Sequence, residues 1–311
     1  MSGIPPFLEE RVSASLNPDD AELVRTGWRE AAGRPVTLRA NTLRAGAADI
    51  EAALTGAGLP FERVGWYPDA FVMGEGVRER DLWELSVYQR GEVYLQSLSS
   101  MLPPLVMKPA DRAEILDMCA APGGKTSQMA ALAPGAHICA CELSAPRAER
   151  LDHNLAKLGA TNVRVMRTDA RKLDEFFSFD QVLLDAPCTG SGTFRAGDER
   201  AAGRITAKLL ERVMRSQRAL LDRALTVLKP GGSLIYSTCS VLPEENEEQV
   251  RSVLGMRRHR DCELAPVSLP AGAPGGPLAP RLLATDLEGA LSIAPSRLFE
   301  GFFIVRITRS R

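Results

Sequence analysis

The feature that most constrains the fold is a regular alternation of apolar, strand-like runs with amphipathic helical segments over residues 110–311. The strand-like runs are EILDMC, HICAC, NVRVM, DQVLLD and SLIYST, and their largely apolar character is typical of parallel strands that are covered on both faces. The longest helical segment, LLERVMRSQRALLDRALTVLKPGG, repeats apolar residues at helical spacing and ends in a Pro-Gly stop. This order predicts an α/β fold with a doubly wound, Rossmann-like sheet.

A different pattern precedes the sheet and predicts a separate, small α/β domain over residues 1–109. Residues 1–35 are expected to form a helical lead-in, because Asn17 followed by Pro-Asp-Asp is a favourable helix start. VTLRANTL, AADIEAALTGAG and PFERVGWYPDAFVMG then predict a strand, a helix that ends at glycine, and one or two further strands. Residues 91–109 are expected to form a turn, a short strand and an apolar helix that joins the two domains.

The C-terminal part of the chain combines an irregular segment with a last strand. Residues 264–296 are rich in Pro, Gly and Ala, and we expect a long surface connection with little structure there. GFFIVRI, at residues 301–307, predicts a final strand.

Composition narrows the class of protein. No apolar run approaches the roughly 20 residues that span a bilayer, and the N-terminus has no basic region followed by an apolar stretch, so we expect no membrane span, no signal peptide and a cytoplasmic location. The formal net charge of −1 argues mildly against an RNA substrate, although a local basic face would suffice. The six cysteines lack the CxxC spacing of zinc sites, so we predict reduced, mostly buried thiols and no metal site.

A glycine-bearing loop follows the first predicted strand of the sheet, in the segment Asp117-Met-Cys-Ala-Ala-Pro-Gly-Gly-Lys-Thr126. Ligands of open α/β sheets bind beyond the carboxyl ends of the strands. Gly123 and Gly124 would let the backbone approach a ligand closely, and the N–H groups at the start of the next helix favour a carboxylate. The loop is neither GxxxxGK[ST] nor GxGxxG, so a phosphate or dinucleotide fits it less well. A purely structural strand-to-helix turn is the alternative.

Two acidic residues follow the next two predicted strands. Glu142 follows HICAC, about 20 residues after the glycine loop, where an acid suits hydrogen bonding to ribose hydroxyls. Asp169 follows NVRVM and is expected near the adenine side of the same pocket. The alternatives are an exposed loop acid for Glu142 and a helix N-cap for Asp169, and Asp169 could serve in both roles.

Two cysteines stand at the ends of two later strands. Asp185-Ala-Pro-Cys188 follows DQVLLD, and Cys239 follows SLIYST. Asp185 could hydrogen-bond the amine edge of a base. A nucleophilic cysteine must be a thiolate, whose pKa a cation such as Lys125 would lower. A buried thiol is the alternative for each cysteine, and none of the three histidines is placed for a cysteine–histidine hydrolase.

Together these motifs resemble those of the Nop/Sun family of RNA 5-cytosine methyltransferases. CAAPGGKT (119–126), DAPCTGSG (185–192) and YSTCS followed by PEENE (236–247) are similar, in order and spacing, to its cofactor, base-binding and nucleophile motifs. PVTLRANTL, LQSLSSMLP and EGFFIVRI are similar to its RNA-contacting segment, inter-domain helix and last strand. The resemblance covers nearly all of residues 35–311 and implies a small RRM-like domain before a methyltransferase sheet.

The resemblance implies S-adenosylmethionine as cofactor and assigns it residues by position. The methionine part would be held by Cys119, Ala120, Ala121, Pro122, Gly123, Gly124 and Lys125. Glu142 would bind the ribose, Asp169 the adenine side, and Asp185 both the cofactor and the target base.

The resemblance also implies the reaction, which is methylation of carbon 5 of a cytosine in RNA. Cys239 would be the nucleophile that adds to carbon 6, and Cys188 would assist release of the product. Asp185 and Lys125 would stabilise charge on the ring as the adduct forms. We expect ribosomal RNA as the first substrate candidate and transfer RNA as the second, with the target base turned out of its stack.

Two other activities remain as alternatives. A methyltransferase acting on an amine would carry an Asn/Asp-Pro-Pro-aromatic loop, whereas Asp185-Ala-Pro-Cys supplies a thiol. A non-catalytic RNA-binding ribosome-assembly factor would not need the two cysteines and the glycine loop. We expect a monomer, because no long heptad pattern is present, and we expect Arg39, Asn41 and Arg195 to contact RNA.

Overall fold

The computed structural model describes residues 3–276 and 278–311 and forms two compact units. The unit called here the cysteine unit comprises Met1–Arg34, Ala170–Ser268 and Pro280–Arg311, and the unit called the glycine-loop unit comprises Pro35–Asp169 and Leu269–Ala279. The division into domains 1–109 and 110–311 stays a prediction. The first two residues of the predicted lead-in and Pro277 of the predicted connection lie outside the described residues.

The helices, in chain order, are α1 Pro6–Ser15, α2 Pro18–Glu30, α3 Ala47–Gly56, α4 Glu79–Trp83, α5 Ser86–Gln89, α6 Leu98–Met107, α7 Gly124–Leu132, α8 Ala145–Leu158, α9 Glu199–Arg204, α10 Ala207–Thr226 and α11 Glu247–Leu254. The strands are β1 Thr37–Ala40, β2 Phe61–Arg63, β3 Ala70–Met73, β4 Val93–Leu95, β5 Glu114–Asp117, β6 His137–Cys141, β7 Val163–Met166, β8 Phe179–Asp185, β9 Leu228–Thr238, β10 Cys262–Ala265, β11 Leu282–Leu283, β12 Leu291–Ile293 and β13 Phe302–Arg309. The five runs predicted as strands of the main sheet coincide with β5 to β9. None of the helices in the described part of the chain is long and apolar enough to cross a membrane.

The glycine-loop unit contains a four-stranded antiparallel sheet of order β2-β3-β1-β4. Helix α3 connects β1 to β2, and the short helices α4 and α5 connect β3 to β4, which is the β-α-β-β-α-β order of a split βαβ motif. Ile50 and Leu54 of α3 are fully buried in one core cluster with Leu38 and Phe71 of the sheet. The RRM-like description of this part stays a prediction.

The same unit contains three parallel strands, with β6 between β5 and β7. Helix α7 follows β5, and α8 follows β6. Helix α8 buries Ala148, Leu151, Leu155 and Leu158, which is the face predicted from their spacing. Because the strands are parallel, the glycine loop and Glu142 follow strand ends at the same edge.

The cysteine unit contains β8 and β9 as a parallel pair that α10 connects. Helix α10 buries the predicted face, including Val213, Gln217, Leu220 and Ala224. The predicted final strand is confirmed as β13, which lies antiparallel between β9 and β12, while β10 also pairs with β13. The residues that follow β8 and β9 therefore emerge at one edge, and they include both predicted catalytic cysteines.

The prediction that residues 264–296 form a long surface connection with little structure was right for most of the segment, which is irregular, but it missed short strands and several buried residues. The segment contains β11 and β12, and β12 pairs with β13 through Leu291 opposite Ile304 and Ile293 opposite Phe302. Buried apolar residues are spread along it, among them Val267, Leu278, Leu283, Leu287 and Ile293. These strands are too short to show an alternating pattern in the sequence. They form by pairing, β12 with β13 and β11 with β12.

The predicted helical lead-in is confirmed for the described residues as α1 and α2, which belong to the cysteine unit. The Asn17 side chain accepts a hydrogen bond from the Asp20 N–H at 2.9 Å, so Asn17 is the expected N-cap of α2. Trp28, at the end of α2, is fully buried and donates its indole N–H to the Ser191 carbonyl at 2.8 Å. Its ring meets Phe194 edge-to-face, with centroids 5.6 Å apart.

The loop after Cys188 is also fixed by the segment that leads into β13. The Gly301 N–H donates to the Gly192 carbonyl at 2.8 Å. A Cβ atom at Gly192 would lie 2.0 Å from the Gly301 carbonyl oxygen, so the close approach of the two backbones requires glycine at residue 192.

We predict that Trp28→Ala lowers the free energy of unfolding by about 3–5 kcal/mol, because it removes a fully buried indole together with its hydrogen bond to Ser191. The measurement is urea unfolding followed by circular dichroism. Trp83→Ala is the matched control, since the Trp83 side chain is 46% exposed, and its effect should stay within about 0.5 kcal/mol. Equal effects of the two substitutions would contradict the packing role of Trp28.

Candidate active site

The glycine loop is held by the carboxylate of Asp117 at the end of β5. Asp117 is buried; one of its oxygens accepts a hydrogen bond from the Thr126 hydroxyl at 2.7 Å, and the other accepts from the Cys119 N–H at 3.3 Å. The carboxylate therefore ties the start of the loop, at Cys119, to the first turn of α7, at Thr126.

The two glycines of the loop are required for different reasons. Gly123 has a φ of +109°, a conformation that L side chains rarely adopt. A Cβ atom at Gly124 would lie 2.8 Å from the Tyr94 ring, so this residue must be small whether or not a ligand is bound. The next residue, Lys125, donates from Nζ to the Ser100 hydroxyl at 2.9 Å. The N–H groups that open α7 lack intrahelical acceptors and can receive a carboxylate.

Glu142 lies immediately after β6 and is only 6% exposed. Its carboxylate accepts a hydrogen bond from the Ser144 N–H at 2.8 Å and lies 3.4 Å from Nη2 of Arg147. The same Arg147 nitrogen donates to the Ala121 carbonyl at 2.9 Å, so one guanidinium links Glu142 to the glycine loop. Sequence reasoning did not identify Arg147.

The ends of β6 and β7 are aligned by a backbone hydrogen bond from the Glu142 N–H to the Met166 carbonyl at 3.1 Å. Asp169 follows Met166 by three residues and is half-buried. The structure thus places the predicted ribose and adenine ligands, Glu142 and Asp169, after adjacent parallel strands.

In the cysteine unit, Asp185 ends β8 and lies opposite Ser237 of β9. Its half-buried carboxylate accepts a hydrogen bond from the Ser237 hydroxyl at 2.8 Å, and the Ala186 N–H donates to the Ser237 carbonyl at 2.8 Å. These bonds fix the direction in which the loop to Cys188 leaves the sheet.

The two predicted catalytic cysteines are in direct contact. Cys188 Sγ lies 2.9 Å from Cys239 Sγ, and both side chains are half-buried. The hydrogen bond with Cys239, together with burial, raises the pKa of the Cys188 thiol well above its usual value. Cys188 therefore keeps its proton at neutral pH and can act as a hydrogen-bond donor to the sulfur of Cys239.

Glu245 connects the two cysteine-bearing segments, and sequence reasoning missed it. Its fully buried carboxylate accepts hydrogen bonds from the N–H and hydroxyl of Thr189 at 2.8 and 2.5 Å, and from the Ser240 hydroxyl at 2.5 Å. Thr189 directly follows Cys188, and Ser240 directly follows Cys239. Gln217 of α10 donates to the same carboxylate at 3.1 Å. Glu245 therefore sets the positions of both thiols. Burial raises the pKa of its carboxyl group, and the hydrogen bonds that it accepts oppose this rise.

The structure does not support two of the expected RNA contacts. Arg39 is 1% exposed, and its guanidinium donates to the Gln96 side chain at 3.2 Å and to the Ser127 hydroxyl at 3.0 Å. Asn41 is fully buried and donates to the carbonyls of Gly91 and Leu158. The expectation was wrong for these two residues, because their polar groups satisfy buried partners. Arg195 is exposed, and its contact with RNA stays a prediction.

The expectation of mostly buried thiols was also wrong, because only Cys141 of the six is fully buried. Burial raises the pKa of Cys141 to about 12, which makes it unreactive at neutral pH.

We predict that Cys239→Ala shifts the alkylation of Cys188 to lower pH. Its hydrogen bond with Cys239 is the first cause of the raised pKa of Cys188, so removing that sulfur lowers the pKa, and the thiolate that reacts forms at lower pH. The measurement is iodoacetamide labelling against pH, read by mass spectrometry. Cys262, whose pKa burial raises to about 11, serves as the internal control and should not change. An unchanged profile for Cys188 would contradict the thiol–thiol contact.

We predict that Glu245→Ala lowers the free energy of unfolding by about 3 kcal/mol or more, because it leaves several buried donors without an acceptor. Glu245→Gln should cost less, since one acceptor oxygen remains. Glu248→Ala is the control, because Glu248 is exposed in the same acidic run, and its effect should be under about 0.5 kcal/mol. Urea unfolding measures all three, and equal losses for Glu245→Ala and Glu248→Ala would rule out the positioning role.

Comparison with known proteins matches the sequence that contains this site to one family. The family described as 16S rRNA methyltransferase RsmB/F matches residues 104–307, which include the glycine loop and both cysteines. A ribosomal RNA small subunit methyltransferase F of Shewanella sp. (strain MR-7) is 35% identical over 98% of this chain, and this chain spans 61% of that protein. A human 28S rRNA (cytosine(4447)-C(5))-methyltransferase is 34% identical over 89% of this chain, which covers 34% of its length.

A solved structure is similar along its whole length. It is a methyltransferase homolog protein from Pyrococcus horikoshii, 32% identical, with a TM-score of 0.79, and the similarity covers 97% of this chain and 94% of that one. This likeness confirms the predicted Rossmann-like α/β methyltransferase fold. The matched residues, the shared length and the fold together place this chain in the 16S rRNA methyltransferase RsmB/F family.

Proposed function

We propose that this chain catalyses S-adenosylmethionine-dependent methylation of carbon 5 of a cytosine in RNA, through a covalent adduct with Cys239. The observation that carries the proposal is the contact of two cysteines, with Cys188 Sγ 2.9 Å from Cys239 Sγ in the unit that also contains Asp185. Methylation of carbon 5 needs a sulfur nucleophile that must later leave, and a neighbouring thiol serves that departure. Methylation of an amine needs neither group.

The names of the relatives support the substrate. The Shewanella relative is named for ribosomal RNA of the small subunit, and the human relative for carbon 5 of a cytosine in 28S rRNA. This chain spans only 61% of the Shewanella protein, so its substrate is inferred from a partial match. Ribosomal RNA is the substrate that we propose, with transfer RNA second, and a cytoplasmic location and a monomeric state stay predictions.

The glycine-loop unit offers the groups that S-adenosylmethionine needs, and this cofactor would supply the electrophilic methyl group. The N–H groups that open α7 after Gly123 suit the methionine carboxylate, with Cys119 to Lys125 forming the wall of that subsite. The buried carboxylate of Glu142 suits the ribose hydroxyls, and Asp169 follows the adjacent strand on the adenine side. Asp185, from the cysteine unit, would serve both cofactor and base.

Cys239 would act on the ring of the cytosine. Its thiolate adds to carbon 6, which forms a sulfur–carbon bond and moves the electrons of the ring double bond toward carbon 5. Carbon 5 then takes the methyl group. Removal of the proton at carbon 5 by a base restores the double bond and expels the thiolate. Asp185 and Lys125 would stabilise the charge that develops on the ring.

Cys188 would assist the last of these steps. Because its pKa is raised, it holds a proton and can donate a hydrogen bond to the Cys239 sulfur as that sulfur regains its negative charge. A donor placed where charge develops favours the departure of the thiolate, and hence release of the methylated RNA.

The test uses purified protein, labelled S-adenosylmethionine and unmodified small-subunit ribosomal RNA or transfer RNA, followed by nucleoside analysis. The wild type should place label in 5-methylcytidine, and Cys239→Ala should transfer none. Cys188→Ala should accumulate a protein–RNA adduct that survives a denaturing gel, because the sulfur of Cys239 leaves slowly when the neighbouring donor is removed.

Cys262→Ala is the matched control, since Cys262 is a half-buried thiol of the same unit outside the site, and it should keep wild-type methyl transfer. Full methylation by Cys239→Ala would overturn the mechanism. Label in another nucleoside would overturn the target atom. RNA binding without any methyl transfer by the wild type would favour a ribosome-assembly factor instead.

A further inference from the structure

A row of basic side chains runs along the outer face of α10, outside the site described above. The row consists of Lys208, Arg212, Arg215 and Arg218, and all four are exposed. Steps of four, three and three residues place them on one face of the helix, opposite the buried face of the same helix. This set is called the basic row below.

The basic row continues into the turn between α11 and β10. Arg258 of this turn borders two neighbouring hollows of the surface. One has a volume of about 500 Å³ and is lined by Arg215 and Arg218 among others. The second, of about 680 Å³, is lined by Arg257, Arg258, Arg260 and Asp261. Arginines of the helix and of the turn therefore face a common stretch of surface.

Three acidic residues line the two hollows, namely Glu211, Asp222 and Asp261. Glu211 is exposed, and the other two are neutralised by basic side chains. Asp222 accepts from Arg258 and contacts His259, each at 2.7 Å, and Asp261 pairs with Arg309 at 2.7 Å. Within the described part of the chain, none of the exposed guanidiniums at positions 215, 218, 257 and 260 is paired with a carboxylate. Since the whole chain has a formal net charge of −1, this excess of positive charge is local.

The direction of the row links it to the two cysteines. Helix α10 connects the parallel strands β8 and β9, so it runs from the edge where Cys188 follows β8 back to the edge where β9 begins. The helix advances about 1.5 Å per residue, so the stretch from Lys208 to Asp222 is about 21 Å long. One helical turn separates successive basic residues, so the positive charge forms a line and not a single point.

We infer that the basic row and the arginines of the α11–β10 turn form a docking surface for the sugar–phosphate backbone of RNA. A line of unpaired guanidiniums suits a polyanion with regularly spaced phosphates, because guanidinium binds phosphate in a bidentate manner and keeps its charge. The inference rests on the proposed function. It adds a second contact with the substrate RNA, away from the modified base. This contact is made to the RNA backbone, so it does not depend on the RNA sequence.

The test compares two double variants, Arg215→Gln/Arg218→Gln and Arg257→Gln/Arg260→Gln, with the wild type. The control is Arg150→Gln/Arg164→Gln, which removes the same charge from two exposed arginines of the glycine-loop unit. Filter binding to unmodified, transcribed small-subunit ribosomal RNA is measured over a series of KCl concentrations, together with binding of S-adenosylmethionine.

Each double variant should bind the RNA more weakly and lower the slope of log K against log salt by about one to two, because each lost phosphate contact removes roughly 0.7–0.9 from that slope. Affinity for S-adenosylmethionine should not change, and the control should match the wild type. A slope and affinity equal to those of the wild type would overturn the inference, as would an equal loss in the control.

Two further outcomes separate the inference from the proposed function. If the variants bind RNA normally but lose binding to poly-glutamate, the surface serves an acidic protein segment and the RNA assignment is overturned. If the wild type transfers no methyl group while its RNA affinity still depends on the four arginines, the proposed function fails and the docking surface stands.

Discussion

The buried carboxylate of Glu245 is the interaction on which the candidate site depends. The two thiols come from loops that are 51 residues apart in the chain, and the sheet alone aligns only the strand ends that precede them. Glu245 completes the alignment, because it binds the residue after each cysteine and receives a further hydrogen bond from α10. Removing a carboxylate from water is costly, and here four donors offset that cost. The result is a rigid pair of thiols and not two independent side chains.

The two units fix their functional loops by the same means, with a buried acid at or near a strand end. Asp117 binds both sides of the glycine loop, and Glu245 binds both cysteine segments. In each case the acid contacts the backbone or hydroxyl group of a residue in the loop. The side chains and N–H groups proposed to react or to bind the cofactor are left available. Electrostatic preorganisation of this kind lets a site hold its geometry without using the groups that react. The raised pKa of Cys188 follows from the same rigidity, since the contact with Cys239 persists only if both loops stay in place.

The sequence predicted the helices and strands that have a periodic local pattern. It did not predict contacts between residues that are distant in the chain. The strands β5 to β9 contain largely apolar runs, and α8 and α10 show helical spacing, so local pattern was sufficient to predict these elements. Glu245 lies in the acidic run PEENEE, which has the composition of a solvated helix start, and its partners belong to segments far away in sequence. Arg39 and Asn41 were expected to contact RNA. Both are buried, and they donate hydrogen bonds to Gln96, Ser127 and Leu158, which are distant from them in sequence. The short strands β11 and β12 have no such local pattern, and they pair with each other and, through β12, with β13.

The approach of Gly301 to Gly192 has a consequence for how the protein is made. The loop that carries Cys188 is fixed on one side by Trp28 and on the other by Gly301, so its neighbours are synthesised near the beginning and near the end of this chain. The partner strand β13 leaves the ribosome more than a hundred residues after the loop. Contacts of such long sequence separation form slowly, because closing a large loop costs entropy before any contact is gained. The cysteine pair therefore reaches its final geometry only as a late event of folding, after translation of residue 301 and docking of β13 against β9.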